Sequence, residues 1–267
     1  MLRPEIMNYY QRGGERNRLT VSSRGRLEFL RTWDVLTRVL PAPPATVLDV
    51  GGATGVYAGP LARAGYRVCV IDPVPEYVAE ASALDGVAAV VGDGRALPAA
   101  DDTADAVLLF GPLYHVLDRA ERIVVWREAA RVVRPEGVIV AATISRFFPL
   151  FDGLTRGFFR DLRYRRLVEQ TLSDGTYRNV DGEPAWFTTA YLHHPDELLS
   201  EPAEAGLMVR RRITVEGPLR IIGSRLDEIL ADPQETAVML EMLRTVEDEP
   251  SLLGDSHVLS VATPLRG

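Results

Sequence analysis

The strongest indication of the fold is the stretch at residues 46–78, TVLDVGGATGVYAGPLARAGYRVCVIDPVPEYV. Its first five residues read as a short β-strand, and a glycine cluster follows where a helix should begin. RVCVI at 67–71 predicts a second strand with Asp72 at its tip. A strand, a glycine turn, a helix and a second strand that ends in an acid form a unit able to hold a nucleotide. The stretch therefore predicts a nucleotide-binding site.

Strand-like and helix-like patterns alternate from this unit up to residue 143. Such alternation predicts an α/β protein with a doubly wound parallel sheet and right-handed crossovers. Two late runs suit strands at an antiparallel edge, which makes a seven-stranded sheet with an antiparallel last strand. The expected strands are 46–50, 67–71, 87–91, 104–110, 137–143, 207–215 and 256–264. The expected helices include 24–40, 56–64, 75–83, 118–134 and 195–205.

The character of the chain changes after residue 143. The next fifty residues hold aromatic residues and arginines without strand–helix alternation, which fits a helical cap over a binding cleft. Residues 1–22 are polar and irregular, apart from Tyr9 and Tyr10, which either close a site or hold the arm to the surface. The expected divisions are 1–45 (N-terminal arm and helix), 46–143 (nucleotide-binding core), 144–194 (helical substrate cap) and 195–267 (C-terminal part of the core with a second helical insertion).

Composition argues against several classes of function. The chain has 267 residues, 46% hydrophobic and 25% charged, which is ordinary for a soluble globular protein. Its net charge of −7 makes a nucleic-acid partner unexpected. It has neither a long apolar run nor the apolar core of a signal peptide, so we expect no membrane span and a cytoplasmic location. The single cysteine, Cys69, cannot form an internal disulfide. A monomer and a homodimer both stay open.

The glycine cluster follows Asp49 and includes Gly51, Gly52 and Gly55. Glycine reaches backbone angles closed to other residues and lets a ligand approach the main chain. The start of the next helix offers free N–H groups. The carboxylate of Asp72 can accept hydrogen bonds from both ribose hydroxyls. An adenosine-containing ligand is therefore expected here.

The spacing of this cluster resembles the DxGxGxG element of class I S-adenosylmethionine (SAM)-dependent methyltransferases, with Asp49, Gly51 and Gly55 matching and Ala53 in place of the middle glycine. GDGRALP at 92–98 and FGPLYH at 110–115 match two further elements of that family. The resemblance implies a Rossmann-like core at 46–143 and SAM as the methyl donor. It also implies a set of residues around the donor: Asp49, Gly51, Gly52, Gly55, Asp72, Pro73, Asp93, Gly94, Arg95, Phe110 and Gly111.

Three longer motifs extend the resemblance to a subgroup. FGPLYHVLDRAER, VVRPEGVIVAATISRF and FTTAYLHHPDEL are similar to small-molecule methyltransferases related to those of ubiquinone and menaquinone biosynthesis. That resemblance implies a cytosolic enzyme with a helical cap, of the kind found in bacterial specialised metabolism. It implies a small-molecule substrate and does not name one.

His115 is the first candidate for a catalytic base. It lies just past the fourth strand, at the edge where ligands bind in open α/β sheets. The unperturbed pKa of histidine is near neutrality, so the imidazole can take a proton at cellular pH. The alternative is a histidine that packs the loop or hydrogen-bonds to the donor. We predict that His115 acts as a base or contacts the substrate.

Arg146 and His193 complete the predicted catalytic set. Arg146 directly follows the fifth strand, where its guanidinium could clamp a substrate carboxylate or form a salt bridge that holds the cap. His193 and His194 lie where the cap returns to the core, and one of them is expected to touch substrate. With His115 they could also bind a divalent metal. Adjacent histidines point different ways on regular backbone, so we predict no metal.

Two other functions use a similar sheet. A nicotinamide-dependent oxidoreductase needs a GxGxxG turn, which GGATGVYAG does not fit well, and gives no role to GDGRALP. A catalytically silent SAM-binding module needs no substrate pocket. The sequence favours a SAM-dependent methyltransferase that acts on a small molecule and leaves the accepting atom open between oxygen, nitrogen and carbon.

Overall fold

The structure is a computed structural model that describes residues 3–222, 224–252, 254 and 257–265. Its strands are β1 (Thr46–Val50), β2 (Arg67–Asp72), β3 (Val87–Val91), β4 (Ala104–Leu109), β5 (Val133–Ile144), β6 (Thr176–Tyr177), β7 (Ala190–Tyr191), β8 (Leu207–Thr214) and β9 (His257–Pro264).

Helices flank these strands. They are α1 (Pro4–Gln11), α2 (Arg18–Val21), α3 (Ser23–Val39), α4 (Ala58–Arg63), α5 (Pro75–Ser82), α6 (Pro112–His115), α7 (Arg119–Val132), α8 (Phe148–Arg156), α9 (Leu162–Asp174), α10 (Glu197–Glu204), α11 (Arg225–Ala231) and α12 (Pro233–Arg244). Short 3₁₀ turns lie at Gly14–Asn17, Phe158–Arg160, Gly217–Ile221 and Pro250–Leu252. Within the described ranges, no helix combines the length and the apolarity that a membrane crossing requires.

Seven strands of the described chain form one sheet in the order β3-β2-β1-β4-β5-β9-β8. Its first five strands are parallel to one another, and β9 runs antiparallel to both β5 and β8. The predicted α/β class and the seven-stranded sheet with an antiparallel last strand are therefore confirmed. The last strand enters between β5 and β8 rather than at the outer edge.

The centre of the sheet is formed by β1 and β4, which pair in parallel. Both strands are runs of apolar residues whose side chains are almost all buried, as expected for parallel strands covered by helices on both faces. β5 begins earlier than predicted, because Val133 pairs with Ala104 across an irregularity in register. The observed helices agree with the predicted ones to within two residues at each end.

The direction of β9 has a consequence for function. Parallel strands place their carboxyl ends at one edge of the sheet, where ligands bind in this architecture. Because β9 is antiparallel, its first residue rather than its last lies at that edge. The register shows this directly, since His257 pairs with Ile144 at the end of β5, and Val258 pairs with Thr214 at the end of β8.

The N-terminal arm differs from the prediction. Residues 1–22 were expected to be irregular, but α1, a 3₁₀ turn and α2 occupy most of the described part of this segment. Pro4 stands in the first turn of α1, where its missing N–H costs nothing, and Ile6 is fully buried. A polar segment of this length has little helical preference by itself, so the burial of Ile6 against the rest of the protein stabilises it.

Residues 144–194 contain α8, α9 and the short β6–β7 hairpin. The aromatic residues of this segment pack mainly against one another, in a cluster centred on Tyr164 and Trp186, whose ring centroids lie 5.0 Å apart. Phe148 and Phe187 belong to the edge of the same cluster. The segment therefore has its own small apolar core.

A buried ion-pair cluster fixes α3 against the second half of the chain. Arg31 is fully buried, and its guanidinium binds Asp34 on the same helix and Glu247 beyond α12, each at 2.9 Å. Arg38 and Arg211 bind the same Glu247 carboxylate. Burial alone would raise the pKa of Glu247, but its hydrogen bonds from these arginines lower it to about 2. The cluster therefore holds α3 as a rigid support beside β8.

Candidate functional site

The turn after β1 brings two backbone segments close together. Gly51 has φ = +75°, a conformation that favours glycine, and an added Cβ there would lie 3.0 Å from Cα of Gly111. Ala53 also takes a positive φ, of 47°, and its N–H donates to Oδ2 of Asp72 at 3.0 Å. The turn is therefore shaped by the close approach of the β1 and β4 ends and is held by the acid at the tip of β2.

Asp72 is nearly buried and oriented by the backbone. Its Oδ1 accepts from the N–H of Val74 at 2.9 Å, while its Oδ2 accepts from Ala53. Two backbone hydrogen bonds on different oxygens fix the plane of the carboxylate. The tip of β2 therefore presents a preoriented acceptor to the space beside the glycine turn.

Asp93 follows β3 and is fixed by Arg95. The guanidinium donates to both carboxylate oxygens, at 2.9 Å and 2.6 Å, and the Arg95 N–H donates at 3.0 Å. The side-chain hydrogen bonds from Arg95 hold the pKa of Asp93 far below its usual range. An added Cβ at Gly94 would lie 3.2 Å from Cβ of Pro112, so this loop packs closely on the start of α6. The loop therefore carries a permanently charged carboxylate in a fixed position.

These loops enclose a first cavity at the carboxyl edge of β1, β2 and β4. The predicted residues that line it are Gly51, Asp72, Pro73, Asp93, Gly94, Arg95, Phe110, Gly111 and His115. Tyr10 from α1 and Tyr114 from α6 complete part of its wall. The structure thus brings together most of the residues that the sequence assigned to the donor.

Three predicted donor residues lie behind the turn instead. Asp49 is fully buried, and neither of its oxygens has a hydrogen-bond partner in the described part of the chain. Burial, with a smaller effect of the Asp72 charge, raises the pKa of Asp49 to about 7. An added Cβ at Gly52 would lie 2.5 Å from the Asp49 carboxyl carbon, and one at Gly55 would lie 2.8 Å from Leu84. These three residues shape the turn. A polar or cationic group bound nearby would stabilise the buried Asp49 carboxyl, which has no hydrogen-bond partner among the described residues.

His115 ends α6 inside the first cavity. The Tyr10 hydroxyl hydrogen-bonds to its Nε2, and the Tyr10 carbonyl accepts from the Tyr77 hydroxyl at 2.6 Å. Burial lowers the pKa of His115 to about 3. A neutral imidazole of such low basicity is a weak proton acceptor, so the sequence argument from an unperturbed pKa does not hold at this position. The geometry favours the alternative in which His115 positions neighbouring groups.

The low pKa predicts a pH effect on stability. The unfolded chain binds a proton at His115 near its ordinary pKa of about 6.5, whereas the folded protein does not until about pH 3, so stability falls as pH drops through this window. We expect His115→Gln to lose less free energy of unfolding than wild type between about pH 7 and about pH 5. Urea unfolding at both pH values measures this difference. Equal losses in wild type and His115→Gln would contradict the burial effect.

Arg146 and His193 do not reach the first cavity. The Arg146 guanidinium pairs with Glu197 at 3.0 Å and contacts the Tyr191 hydroxyl at 3.1 Å, which matches the salt-bridge alternative. His193 is buried, burial lowers its pKa, and its Nε2 lies 3.6 Å from the Glu201 carboxylate. In the described part of the chain, His115 and the 193–194 pair form no three-ligand metal group. The observed contacts of Arg146 and His193 therefore give no support to the catalytic roles predicted for these two residues.

A second cavity adjoins the first and shares Tyr10 and Tyr114 with it. It lies over the ends of β5 and β8 and the start of β9. Its wall includes aromatic residues, charged residues from α2, α3 and α8, and a carboxylate–histidine pair: Arg18, Arg24, Glu28, Phe148, Asp152, Arg156, Phe187, Glu216 and His257.

Sequence reasoning missed Glu28, Glu216 and His257 in this cavity. A signal for two of them was present. Glu216 follows a strand that is parallel to the core, and His257 opens an antiparallel closing strand, so both belong at the ligand-binding edge. No comparable signal marks Glu28, because its position depends on how α3 packs against the sheet.

The sheet order, the glycine turn and the acids after β2 and β3 are the features expected of the core of a class I SAM-dependent methyltransferase. Residues 48–141 match the model of a family described as a methyltransferase domain. A ubiquinone biosynthesis O-methyltransferase of Methylobacterium sp. (strain 4-46) is 37% identical over 111 residues, 40% of this chain and 43% of that relative. The chain spans less than half the length of the curated relatives it matches. The predicted family resemblance is confirmed.

Solved structures share the fold over most of the chain. The complex between the Haloferax volcanii Trm112 methyltransferase activator and the putative methyltransferase gives a TM-score of 0.62 at 18% identity, covering 98% of both chains. A putative S-adenosylmethionine dependent methyltransferase from Listeria monocytogenes gives 0.59 at 17% identity, covering 90% of this chain and 99% of that one. At these identities the likeness shows the fold alone.

Proposed function

We propose that this protein transfers a methyl group from SAM to a small-molecule acceptor. The observation that carries the proposal is the pair of adjoining cavities at the carboxyl edge of the sheet, which share Tyr10 and Tyr114. A donor in the first cavity and an acceptor in the second would meet at this shared wall. Such alignment of two reactants is the main contribution that a protein makes to this reaction.

The residues of the first cavity fit the donor. The preoriented carboxylate of Asp72 suits the two ribose hydroxyls, and the fixed carboxylate of Asp93 suits the amino group of adenine. The glycines at 51 and 111 leave the backbone open to close approach by the amino-acid portion. When bound, SAM supplies a methyl group on a positively charged sulfur, and the buried carboxyl of Asp49 lies behind the turn.

The arm formed by α1 helps to exclude water from this site. Tyr10 hydrogen-bonds to His115 and, through its carbonyl, to Tyr77. Arg16 beyond it pairs with Glu80 on α5, Nε to Oε1 at 2.8 Å. We propose that the arm folds over the donor and is held closed by these contacts. A site closed to water favours transfer to the acceptor over side reactions.

The second cavity supports a small-molecule acceptor. Its aromatic wall suits a flat apolar body, while Arg24 and Arg156 both lie near a single acid, Asp152, at 3.7 Å and 3.6 Å. The two guanidinium groups can donate hydrogen bonds to a polar substituent of the acceptor. We infer an acceptor of the kind made in bacterial specialised metabolism and, because SAM is a cytoplasmic metabolite, a cytoplasmic location. The cavity also argues against a catalytically silent SAM-binding module.

Two measurements test the proposal. Calorimetry with SAM, S-adenosylhomocysteine and NADH should show saturable binding of the first two and none of the third. Incubation of the purified chain with methyl-labelled SAM and a metabolite extract should place the label on a low-molecular-weight product. Binding of NADH without binding of SAM would favour the oxidoreductase alternative, and binding of SAM without any label transfer would favour the silent module.

A further inference from the structure

Glu28, Glu216 and His257 converge on the second cavity from three separate parts of the chain. One ligand atom of each lies within 4.8 Å of those of the other two. Glu28 comes from the middle of α3, Glu216 follows β8, and His257 begins β9. The antiparallel direction of β9 brings the last two together at the carboxyl edge. Neither the glycine turn nor the residues around the donor account for this group.

Glu216 fixes the orientation of the His257 ring. Its Oε1 lies 2.6 Å from Nδ1 of His257, and its Oε2 accepts from the backbone N–H of the same residue at 3.2 Å. A carboxylate on Nδ1 holds the proton there and leaves the lone pair on Nε2. Nε2 makes no hydrogen bond to the described residues, and it is not one of their buried unpaired atoms. It therefore reaches open space in a residue that lines the cavity.

The charges around His257 favour its role as a proton acceptor. Burial lowers the pKa of His257, but the charges of Glu28 and Glu216 outweigh burial and place it above its usual value. The Arg18 guanidinium, which binds Glu28 at 2.9 Å, opposes them in part. Asp152, Arg24 and Arg156 are the other charged groups of the cavity wall. His115 has the opposite environment, so the two histidines differ in basicity through their surroundings alone.

We propose that His257, oriented by Glu216, is the general base for a phenolic acceptor bound in the second cavity. The aromatic wall formed by Tyr114, Phe148 and Phe187 suits the flat ring of a phenol. A phenol is a much stronger acid than an aliphatic alcohol, so an imidazole can take its proton during the reaction. The inference rests on the proposed methyl transfer and deepens it by naming the base and the acceptor class.

Methyl transfer to the phenol oxygen is coupled to the loss of one proton. The phenol O–H bond breaks and its proton passes to Nε2 of His257. The acceptor oxygen forms a bond to the methyl carbon, and the electron pair of the broken C–S bond stays on sulfur. The products are a methyl aryl ether, S-adenosylhomocysteine and a protonated His257. The positive charge that leaves the sulfonium is thus carried by the imidazolium, which Glu216 and Glu28 stabilise.

The same three residues could instead hold a divalent cation, since carboxylates and imidazole are common ligands. Two contacts argue against that alternative. The Arg18 guanidinium binds both oxygens of Glu28, and the proton on Nδ1 of His257 is shared with Glu216. A cation would have to displace a proton and compete with a guanidinium. The ion pairs within this group therefore favour proton acceptance by His257 over metal binding.

The test compares two acceptors of different acidity. Phenol needs a base, whereas 4-nitrophenol is largely ionised at about pH 8 and does not. With saturating SAM, His257→Ala should lower kcat by about 10²-fold or more for phenol and by less than about 3-fold for 4-nitrophenol. Glu216→Gln should lower kcat for phenol by about 10-fold and shift the acidic limb of its pH profile, where His257 loses its proton, to lower pH. Asp85→Ala, a change at an exposed acid outside both cavities, should match wild type.

Several results would overturn the inference. One is a His257→Ala protein with wild-type turnover of phenol, and another is an equal loss with both acceptors, which would indicate a structural role. Loss of wild-type activity in EDTA, restored by Mg²⁺ or Mn²⁺, would identify a metal site instead. Label transfer only to amines or carbon acids would refute the phenolic acceptor. A wild-type protein that binds no SAM would refute the proposed function itself, which calorimetry detects independently of any acceptor.

Discussion

Glu201→Ala should lower the free energy of unfolding by about 3–5 kcal/mol. Glu201 on α10 is almost fully buried and accepts hydrogen bonds from Nε and a terminal nitrogen of Arg122 on α7, at 3.0 Å and 2.7 Å. Removing the carboxylate leaves a buried guanidinium without its counterion. The loss is large because a typical domain is stable by only about 5–15 kcal/mol. Urea unfolding followed by circular dichroism measures it.

The same two helices provide a matched control. Arg119 on α7 and Glu204 on α10 form an ion pair at 2.6 Å in which both side chains are about half exposed. Glu204→Ala should therefore have a much smaller effect on the free energy of unfolding than Glu201→Ala. A double variant, Arg122→Met with Glu201→Leu, should recover most of the loss, because it removes both charges and keeps the volume. Equal effects of Glu201→Ala and Glu204→Ala would contradict the importance of burial.

The ion pair between Arg122 and Glu201 also supports part of the wall of the first cavity. Arg122 donates to the carbonyls of Val116 at 3.2 Å and Leu117 at 2.8 Å, directly after α6. Val116 lines the first cavity. Glu201→Ala should therefore loosen the loop that carries His115 as well as destabilise the fold. No local pattern singles out either residue, because their hydrogen bonds link positions 79 residues apart.

Asp72→Ala should weaken binding of S-adenosylhomocysteine by about 1–3 kcal/mol, which corresponds to roughly 5- to 150-fold in Kd. The variant removes the acceptor proposed for the ribose hydroxyls. It also removes the group that holds the N–H groups of Ala53 and Val74, so the glycine turn loses part of its preorganisation. Isothermal titration calorimetry measures the change, and the product is used because it is not consumed.

Two further variants separate recognition from folding. Asp72→Asn keeps one acceptor oxygen and should fall between wild type and Asp72→Ala. Asp85→Ala changes an exposed acid that precedes β3 at the opposite edge of the sheet and should leave affinity unchanged. Thermal unfolding of each protein shows whether the fold is intact. Wild-type affinity in a folded Asp72→Ala protein would remove this residue from the donor site.

Local patterns of apolar residues predicted most strands of the sheet correctly. Runs such as TVLDV and ADAVLLF are apolar on both faces, and only a strand covered by helices on both sides buries them. Glycine at 51 was predictable because few other residues tolerate its backbone angle. Residues near each other in the chain therefore revealed the turn and the acid at the tip of β2.

Contacts between distant segments were not predictable in the same way. α1 is short and polar, and its helical form depends on the burial of Ile6. The sequence position of Arg146 is equally compatible with a substrate clamp and with a salt bridge. In the structure its guanidinium lies 3.0 Å from the Glu197 carboxylate, which makes it a salt bridge. The roles of such residues depend on the partner that the fold supplies, and sequence spacing does not specify that partner.

The α/β class, the order of strands and helices in the core, and the loops that surround the first cavity all follow from local sequence patterns. Which histidine has the environment of a base depends instead on tertiary packing. His115 and His257 are chemically identical, but burial lowers the pKa of one, while two carboxylates raise the pKa of the other. Those carboxylates come from α3 and from the end of β8, and only the packing of α3 and the antiparallel entry of β9 bring them to the same imidazole.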